Sequence, residues 1–434
     1  MKRYPKYKDS GIEWLGEVPE GWEVIRLRNT INYKKGKNPT TLFEDNLNNQ
    51  YLPYLSMDYL RNSGDESHFV EKSKNTVIAN DGDILLLWDG SNAGEFIVSK
   101  NGAVSSTMAK IFPDKKLDKR FCFFLCKTIE PILREHTIGM GIPHVNANIL
   151  KNIVCPSPLK NEQTAIATFL DHKTAKIDEL IKKNETLVEL LKEKRQAIIS
   201  HAVTKGLDPN AKMKDSGIEW IGEIPEGWEV KKLKYVSVVN PEALGESTPL
   251  DFEIKYVDIS NVNEEGLINN PELMSFSDAP SRARRIIKKG DVIVSTVRTY
   301  LKAIAYFSNP ESNMIVSTGF AVLRATKTML PKFLYYFVRA NFFVDSIMAN
   351  SVGVSYPAIN SSVLSGLTVL LPDKNEQTAI ADYLDKETKN IDKTIQKIQT
   401  QIATLKEYRQ ALISNVVTGK VRVYDCNLQG KRIK

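Results

Sequence analysis

The chain has 434 residues, 42% of them hydrophobic and 26% charged, with Gly and Pro together under a tenth. It is long enough for two or three domains with their own cores, and its composition excludes a disordered or collagen-like chain. Lys and Arg number 59 against 52 Asp and Glu, a net charge of +7 that is a mild basic bias, compatible with nucleic acid and with many enzymes.

In chain order, the start Met1–Asp9 is basic and has no apolar stretch behind it, so it does not read as a signal peptide. No apolar run approaches the roughly 18 residues of a membrane span. Four irregularly spaced cysteines fit reduced thiols. The chain reads as soluble and cytoplasmic.

Asp9 to Val24 reads DSGIEWLGEVPEGWEV, and Asp215 to Val230 reads DSGIEWIGEIPEGWEV, identical at fourteen of sixteen positions. KNEQTAIA at Lys160–Ala167 returns unchanged at Lys374–Ala381, and Arg195-Gln196-Ala197 returns as Arg409-Gln410-Ala411. Between these anchors the halves diverge, with Gly82-Asp83 matching Gly290-Asp291 and Val145-Asn146 matching Ile359-Asn360. The chain is an internal duplication whose ends share one job and whose middles have separate ones.

Each middle mixes short β-rich runs, such as 83–88 and 291–295, with Gly, Asn, Asp and Pro turns. Each also holds one expected helix, near 118–135 and 331–349. The stretches 161–204 and 375–418 contain neither Pro nor Gly, and Asn161 and Asn375 are the expected N-caps. Positions 177, 181, 184, 188, 191, 195 and 198 and their partners 391 to 412 form a mainly apolar heptad seam in both copies, interrupted by Arg195 and Arg409 at equivalent positions and by Asn184 in the first. Asn184 either sets register or faces water. The expected architecture is α+β. Two globular domains (1–158 and 207–372) are joined by two long helices (159–206 and 373–420) in an antiparallel coiled-coil spacer, with pseudo-two-fold internal symmetry and a tail (421–434).

These elements together resemble the specificity subunits of type I restriction–modification systems. The resemblance rests on the duplicated DSGIEW-GE-PEGWEV segments, the P-x-x-x-EQ-x-x-IA helix starts at Pro158 and Pro372, and the RQA-IS helix ends, and it spans essentially the whole chain. It implies two target-recognition domains, each reading one half of a bipartite double-stranded DNA sequence, and spacer helices that fix the distance between half-sites. It implies a non-catalytic subunit docking two modification subunits, which methylate adenine, and two restriction subunits. S-adenosylmethionine, ATP and Mg are then expected in those partners, with no cofactor in this chain.

Chemistry is sparse in the residues themselves. There is no phosphate loop and no G-x-G-x-x-G. Pro372-Asp373 with Glu387 and Lys389 formally matches a nuclease pattern but falls at a helix entry, and the first copy lacks it. Cys122, Cys126 and His136 are better read as core than as a zinc site, and Asp83 and Asp291 as turn caps. No catalytic or metal residue is expected. Rival readings are a self-contained nuclease or methyltransferase and a coiled-coil scaffold.

Candidate DNA contacts follow from the preference of phosphates for Lys and Arg and of base edges for Arg, Lys, Asn and Gln. In the first domain they are Lys34, Lys35, Lys37 and Asn38, with Gly36 allowing close approach, then Asn92 and His144, the latter in a Gly-rich loop. In the second they are Arg282, Arg284, Arg285, Lys288 and Lys289, then Arg298, Tyr300 and Lys302. Trp14, Pro19, Trp22 and their twins Trp220, Pro225 and Trp228 stand among acids, so they brace the domains on the helices or face the modification subunits.

Overall fold

A computed structural model describes residues 2–46, 51–61 and 68–423, so most of the expected tail lies outside the described residues. The chain divides into two compact units, Met1–Asn184 with Thr400–Lys434, and Glu185–Gln399. Each unit therefore holds one globular domain, the start of one long helix and the end of the other. The helices are Lys160–Lys205 and Lys374–Val417, each roughly 65–70 Å long at 1.5 Å per residue.

Both domains have the same strand order. In the first, an antiparallel sheet runs 31–35, 108–113, 84–87, 96–98, and a mixed sheet runs 69–70, 52–55, 102–104, 78–79. In the second, the corresponding orders are 237–239, 320–325, 292–295, 304–306 and 272–275, 253–257, 314–317, 283–286. Divergent sequences thus keep one topology, because the apolar central strands ILLL (84–87) and VIVS (292–295) are fully buried in both.

The duplicated motifs are the joints between domain and helices. Trp22 is buried and its indole N–H donates to Glu162 at 3.0 Å; Trp228 donates to Glu376 at 2.7 Å. These glutamates are the E of each KNEQTAIA. The neighbouring Gln163 accepts from the Asp118 N–H at 2.7 Å and donates to the Pro158 carbonyl, and Gln377 does the same with Leu330 N–H and the Pro372 carbonyl. Of the two roles expected for the PEGW tryptophans, bracing is what they perform; Trp220, by contrast, stays exposed.

The helix ends arrive at the same joints. Gly419, at φ +76°, follows the second helix, and a Cβ there would lie 2.4 Å from Pro19 Cδ and 3.0 Å from a Trp22 ring carbon. Gly206, at φ +74°, follows the first helix and sits against Trp228 and Glu376. Within each unit the start of one helix and the end of the other meet at one tryptophan, so the two helices run antiparallel there. Arg409 pairs with Asp178 at 2.7 Å in the first unit and Arg195 with Asp392 at 2.9 Å in the second, each pair the repeat image of the other.

The glutamine of each RQA motif ties its helix to the domain through a carbonyl that has lost its helical donor. Pro131 removes the N–H that would bond Lys127 O, and Gln410 donates to that oxygen at 3.2 Å. In the second unit the helix expected over 331–349 is instead two, Pro331–Arg339 and Asn341–Ala349. Ala340 between them is extended, and Gln196 donates to Arg339 O while Asn341 N–H reaches Ser200 Oγ.

The expected caps also differ. Asn161 and Asn375 lie inside their helices, and the second is capped by Asp373, which accepts from the N–H groups of Asn375 and Glu376 at 2.8 and 3.0 Å. Asp373 preceded Asn375 by two residues and was the better-placed acceptor for the free first-turn N–H groups. Ile177 and Ile181 bury their seam face with Leu412 and Val416 in the first unit's core. Asn184 is drawn into the seam rather than into water: its amide nitrogen is buried without a hydrogen-bond partner among the described residues. No helix among them is long and apolar enough to cross a membrane.

Candidate nucleic-acid interface

The same turn follows the buried central strand in both domains. Ala93 N–H donates to Gly90 O, and Leu301 N–H to Arg298 O, each at 2.9 Å, closing a single turn over 90–94 and 298–302. Both ends of this turn need positive φ. The first domain supplies glycine at both, Gly90 at +102° and Gly94 at +92°. The second places Arg298 at +51° and Lys302 at +50°, conformations that disfavour any residue with a Cβ. Local strain of this kind collects at functional sites, and here the strained residues are the two cations.

A second shared feature packs on the turn. Ile138 and His144 exchange backbone hydrogen bonds of 2.9 and 2.7 Å, and Val352 and Ala358 exchange bonds of 2.9 and 3.0 Å, each closing a short finger. The first finger is anchored by Gly90 N–H to Pro143 O and Val145 N–H to Trp88 O, both 2.9 Å. The second is anchored by Ile359 N–H to Thr296 O at 2.9 Å and by the Thr299 and Ser351 hydroxyls at 3.0 Å. Turn and finger form one continuous surface in each unit.

In the first unit this surface holds Lys35, Asn92 and His144. Lys35 Nζ and His144 Nδ1 both lie 2.7 Å from the Asp89 carboxylate. Burial would raise the Asp89 pKa, but the hydrogen bonds from Lys35 and His144 hold it below its ordinary value. Asn92 is half-buried at the turn's centre. In the second unit Arg298, Tyr300 and Lys302 share one turn; the Arg298 guanidinium lies 4.8 Å from the Tyr356 ring centroid and Lys302 pairs with Glu264 at 3.6 Å.

The other expected contacts are dispersed. Lys34 precedes Lys35 on the strand and so faces the other side of the sheet. Lys37 and Asn38 line a separate cleft of about 330 Å³, where Asn38 Oδ1 accepts from Ser106. The close approach at Gly36 is internal: a Cβ there would stand 2.1 Å from Ser105 O and 2.2 Å from Val104 O. Along Arg282–Lys289, Arg282 pairs with Asp258 and Lys288 with Glu242. Arg284 lies over Phe276. Arg285 is half-buried with no partner for Nε among the described residues, and burial pushes its guanidinium down from its ordinary pKa. Only Lys289 is exposed without such a bond described, so these five do not form one phosphate-facing face.

Asp83 and Asp291 cap turns, accepting from Asn80 N–H at 2.9 Å and Lys288 N–H at 2.7 Å. Cys122, Cys126 and Cys155 are buried in the first core, where burial pushes the Cys126 and Cys155 thiols up. Among the described residues no group of His, Cys, Asp and Glu is placed to hold a metal ion.

Sequence reasoning singled out the first finger only for His144 and passed over its apolar tips, Ile138, Met140 and Ile142, and the whole second finger with Val352, Val354 and Tyr356. The signal was present: aligned at Val145-Asn146 and Ile359-Asn360, TIGMGIPHVN and SVGVSYPAIN keep Gly, Pro and Asn and alternate apolar residues in register.

Comparison with known proteins shows the family. The family model for the type I restriction modification DNA specificity domain matches twice, over residues 19–190 and 225–404. The chain is 33% identical over 433 residues to the type I restriction enzyme MjaVIII specificity subunit of Methanocaldococcus jannaschii, covering 97% of this chain and 98% of that one. It is 22% identical to the EcoKI specificity subunit of Escherichia coli K12, covering 94% and 90%. A chain from a structural study of assembly and conformational transition in a type I restriction–modification system superposes with a TM-score of 0.68 at 18% identity, covering 93% and 99%. With both domains matched and the relatives spanned nearly end to end, the chain belongs to the type I restriction–modification DNA specificity family.

Proposed function

We propose that each unit reads its half of a split DNA target through the turn-and-finger surface, with Arg298, Tyr300 and Lys302 in the second unit and Lys35, Asn92 and His144 in the first. The observation that carries this assignment is the substitution of two strained cations for two glycines in otherwise equivalent turns. A turn that folds readily with glycine has no structural need of Arg298 and Lys302, whereas a DNA contact does. Arginine can bond both acceptors of a guanine edge, and lysine can neutralise a phosphate.

The chain is the non-catalytic specificity subunit, which works with two modification and two restriction subunits on double-stranded DNA. S-adenosylmethionine, ATP and Mg belong to those partners, and the complex acts in the cytoplasm. Lys34, Lys37, Asn38, Arg282, Lys288 and Lys289 are secondary contacts on this reading, available to phosphates flanking each half-site, whereas Arg284, over Phe276, and the half-buried Arg285 are not.

The test is co-expression with the modification subunits, then mapping of methylated adenine across a genome. One split motif with two unlike half-sites at fixed spacing is expected. Arg298→Ala should relax one base position in one half-site only, costing about 1–3 kcal/mol there. A methylation pattern untouched by substitution at Arg298, Lys302, Lys35 and Asn92 together would overturn the assignment.

A further inference from the structure

The apolar side chains of the two fingers belong to no buried core among the described residues. Met140 and Val354 are 106% and 102% exposed, as open as in an extended chain, and Ile138, Ile142, Val352 and Tyr356 beside them are also largely exposed. Each finger exposes three apolar side chains at alternate positions, i, i+2 and i+4, here called its ridge. Glycines at φ +111° (Gly139) and +115° (Gly353) shape both loops. A Cβ on Gly139 would stand 2.5 Å from Ile142 O, so the loop is tightly closed on itself.

We propose that each ridge is a wedge that enters a groove of the DNA and inserts between base pairs, kinking the half-site that its own domain reads. This rests on the reading of the turn as the DNA-facing surface and specifies what the finger does there. Three features favour the base stack over a protein surface. The ridge is one hairpin wide, matching a groove rather than a broad docking patch. Neither finger carries a carboxylate, from Thr137 to Asn146 or from Ser351 to Asn360, as suits a segment passing between phosphates. In the second unit the Arg298 guanidinium lies against Tyr356 at the ridge's edge, so a receptor for the ridge must also accept a cation. Isoleucine, methionine and other apolar side chains inserted at base steps unstack them and bend the duplex. The ridges differ, Ile-Met-Ile against Val-Val-Tyr, on equivalent frames, so the wedge is common to both half-sites while its fit to the base step is not.

The experiment uses the full chain assembled with its modification subunits and a duplex of the mapped target carrying 2-aminopurine at successive positions of each half-site. Wild-type complex should raise 2-aminopurine fluorescence at one step per half-site and retard the DNA as a bent fragment in circular-permutation gels. Changing Ile138, Met140 and Ile142 to Ser should abolish the signal and the bend in the first domain's half-site only, and weaken binding roughly ten-fold or more. The matching triple change at Val352, Val354 and Tyr356 should act on the other half-site. The single variants Met140→Ser and Val354→Ser touch no core residue, and each should lower the signal in its own half-site. Serine variants that assemble normally and keep the fluorescence rise and bend would overturn the wedge. So would variants that fail to assemble with the modification subunits while melting at the wild-type temperature, since the ridge would then be a protein-docking surface. Wild-type complex that binds the mapped target no better than random DNA would instead refute the underlying reading of the turn.

Discussion

Replacing Lys302 by glycine should make the protein more stable and worse at binding DNA. Lys302 sits at φ +50°, where an L-residue is disfavoured by roughly 1–2 kcal/mol. Glycine removes that strain but gives back roughly 0.5–1 kcal/mol as extra freedom of the unfolded chain. The only described bond lost is an ion pair with Glu264 at 3.6 Å between two well-exposed side chains, worth a few tenths of a kcal/mol, about 0.3. The balance is a stabilisation of about 0.5 kcal/mol. Arg298→Gly relieves the same strain but also loses the guanidinium over Tyr356, about 0.5–1 kcal/mol, so it should be close to neutral. Urea titration of the full chain, with hydrogen exchange followed in peptides covering 290–310, reads this local change. In parallel, anisotropy of labelled target bound by the complex over a salt series should show lower affinity. For Lys302→Gly the salt slope should fall by about 0.9 if one phosphate contact is lost. A Lys302→Gly protein that is less stable than wild type would refute the strain argument, and unchanged affinity and slope would refute its link to function.

The two joint glycines should not be equivalent: Gly419→Ala combines positive φ with a 2.4 Å approach to Pro19, whereas the nearest atom at Gly206 is the end of a Glu376 side chain at 2.9 Å. We expect a loss of about 2–4 kcal/mol for Gly419→Ala against about 1–2 for Gly206→Ala, read from urea midpoints; equal losses would argue against the Pro19 contact. Asn184→Leu should raise stability by about 1–3 kcal/mol, because it removes a buried amide nitrogen without a partner among the described residues; a drop in melting temperature would mean that the amide has a use in the seam. For Asp83, burial would raise the pKa, but hydrogen bonds from Lys110, Lys119 and the Asn80 N–H hold it at about 2, below the ordinary 3.8. A depressed carboxyl contributes stability above its unfolded pKa and loses it as pH falls through the folded one. Wild type should therefore lose stability between about pH 4 and 2, and Asp83→Asn should lack that limb while starting lower at pH 7. An unchanged limb would assign the acid sensitivity elsewhere.

The duplication was legible because its motifs are local strings, and the α+β domains and long helices followed from the breaks in Pro and Gly between them. What the strings do was not legible. KNEQTAIA reads as a helix start, yet its Glu162 is fixed by an indole 140 residues away in sequence. The RQA glutamine of the second helix, Gln410, is explained only by Pro131, whose missing N–H leaves Lys127 O open to it from 283 residues away. Such pairings depend on tertiary placement, which periodicity does not carry.

The candidate site divides along the same physical line. The run Arg282–Lys289 looked strongest by linear charge density, but density along the chain says nothing of the carboxylates that folding brings to it. Asp258 and Glu242 arrive from 24 and 46 residues away, and a bulge between Ala283 and Arg285 breaks the regular alternation of the run. Arg298 and Lys302 were weaker by count yet carry the better evidence, because the comparison that matters is positional. At the repeat's offset they stand where the sister turn has Gly90 and Gly94, and both pairs are at positive φ. Lys302 stands where glycine would fold more easily, and Arg298 where glycine would fold about as well, so the fold alone calls for neither cation. Within a duplicated chain, each half supplies the control for the other, and the substitution of cations for glycines is what supports the proposed DNA-facing turn.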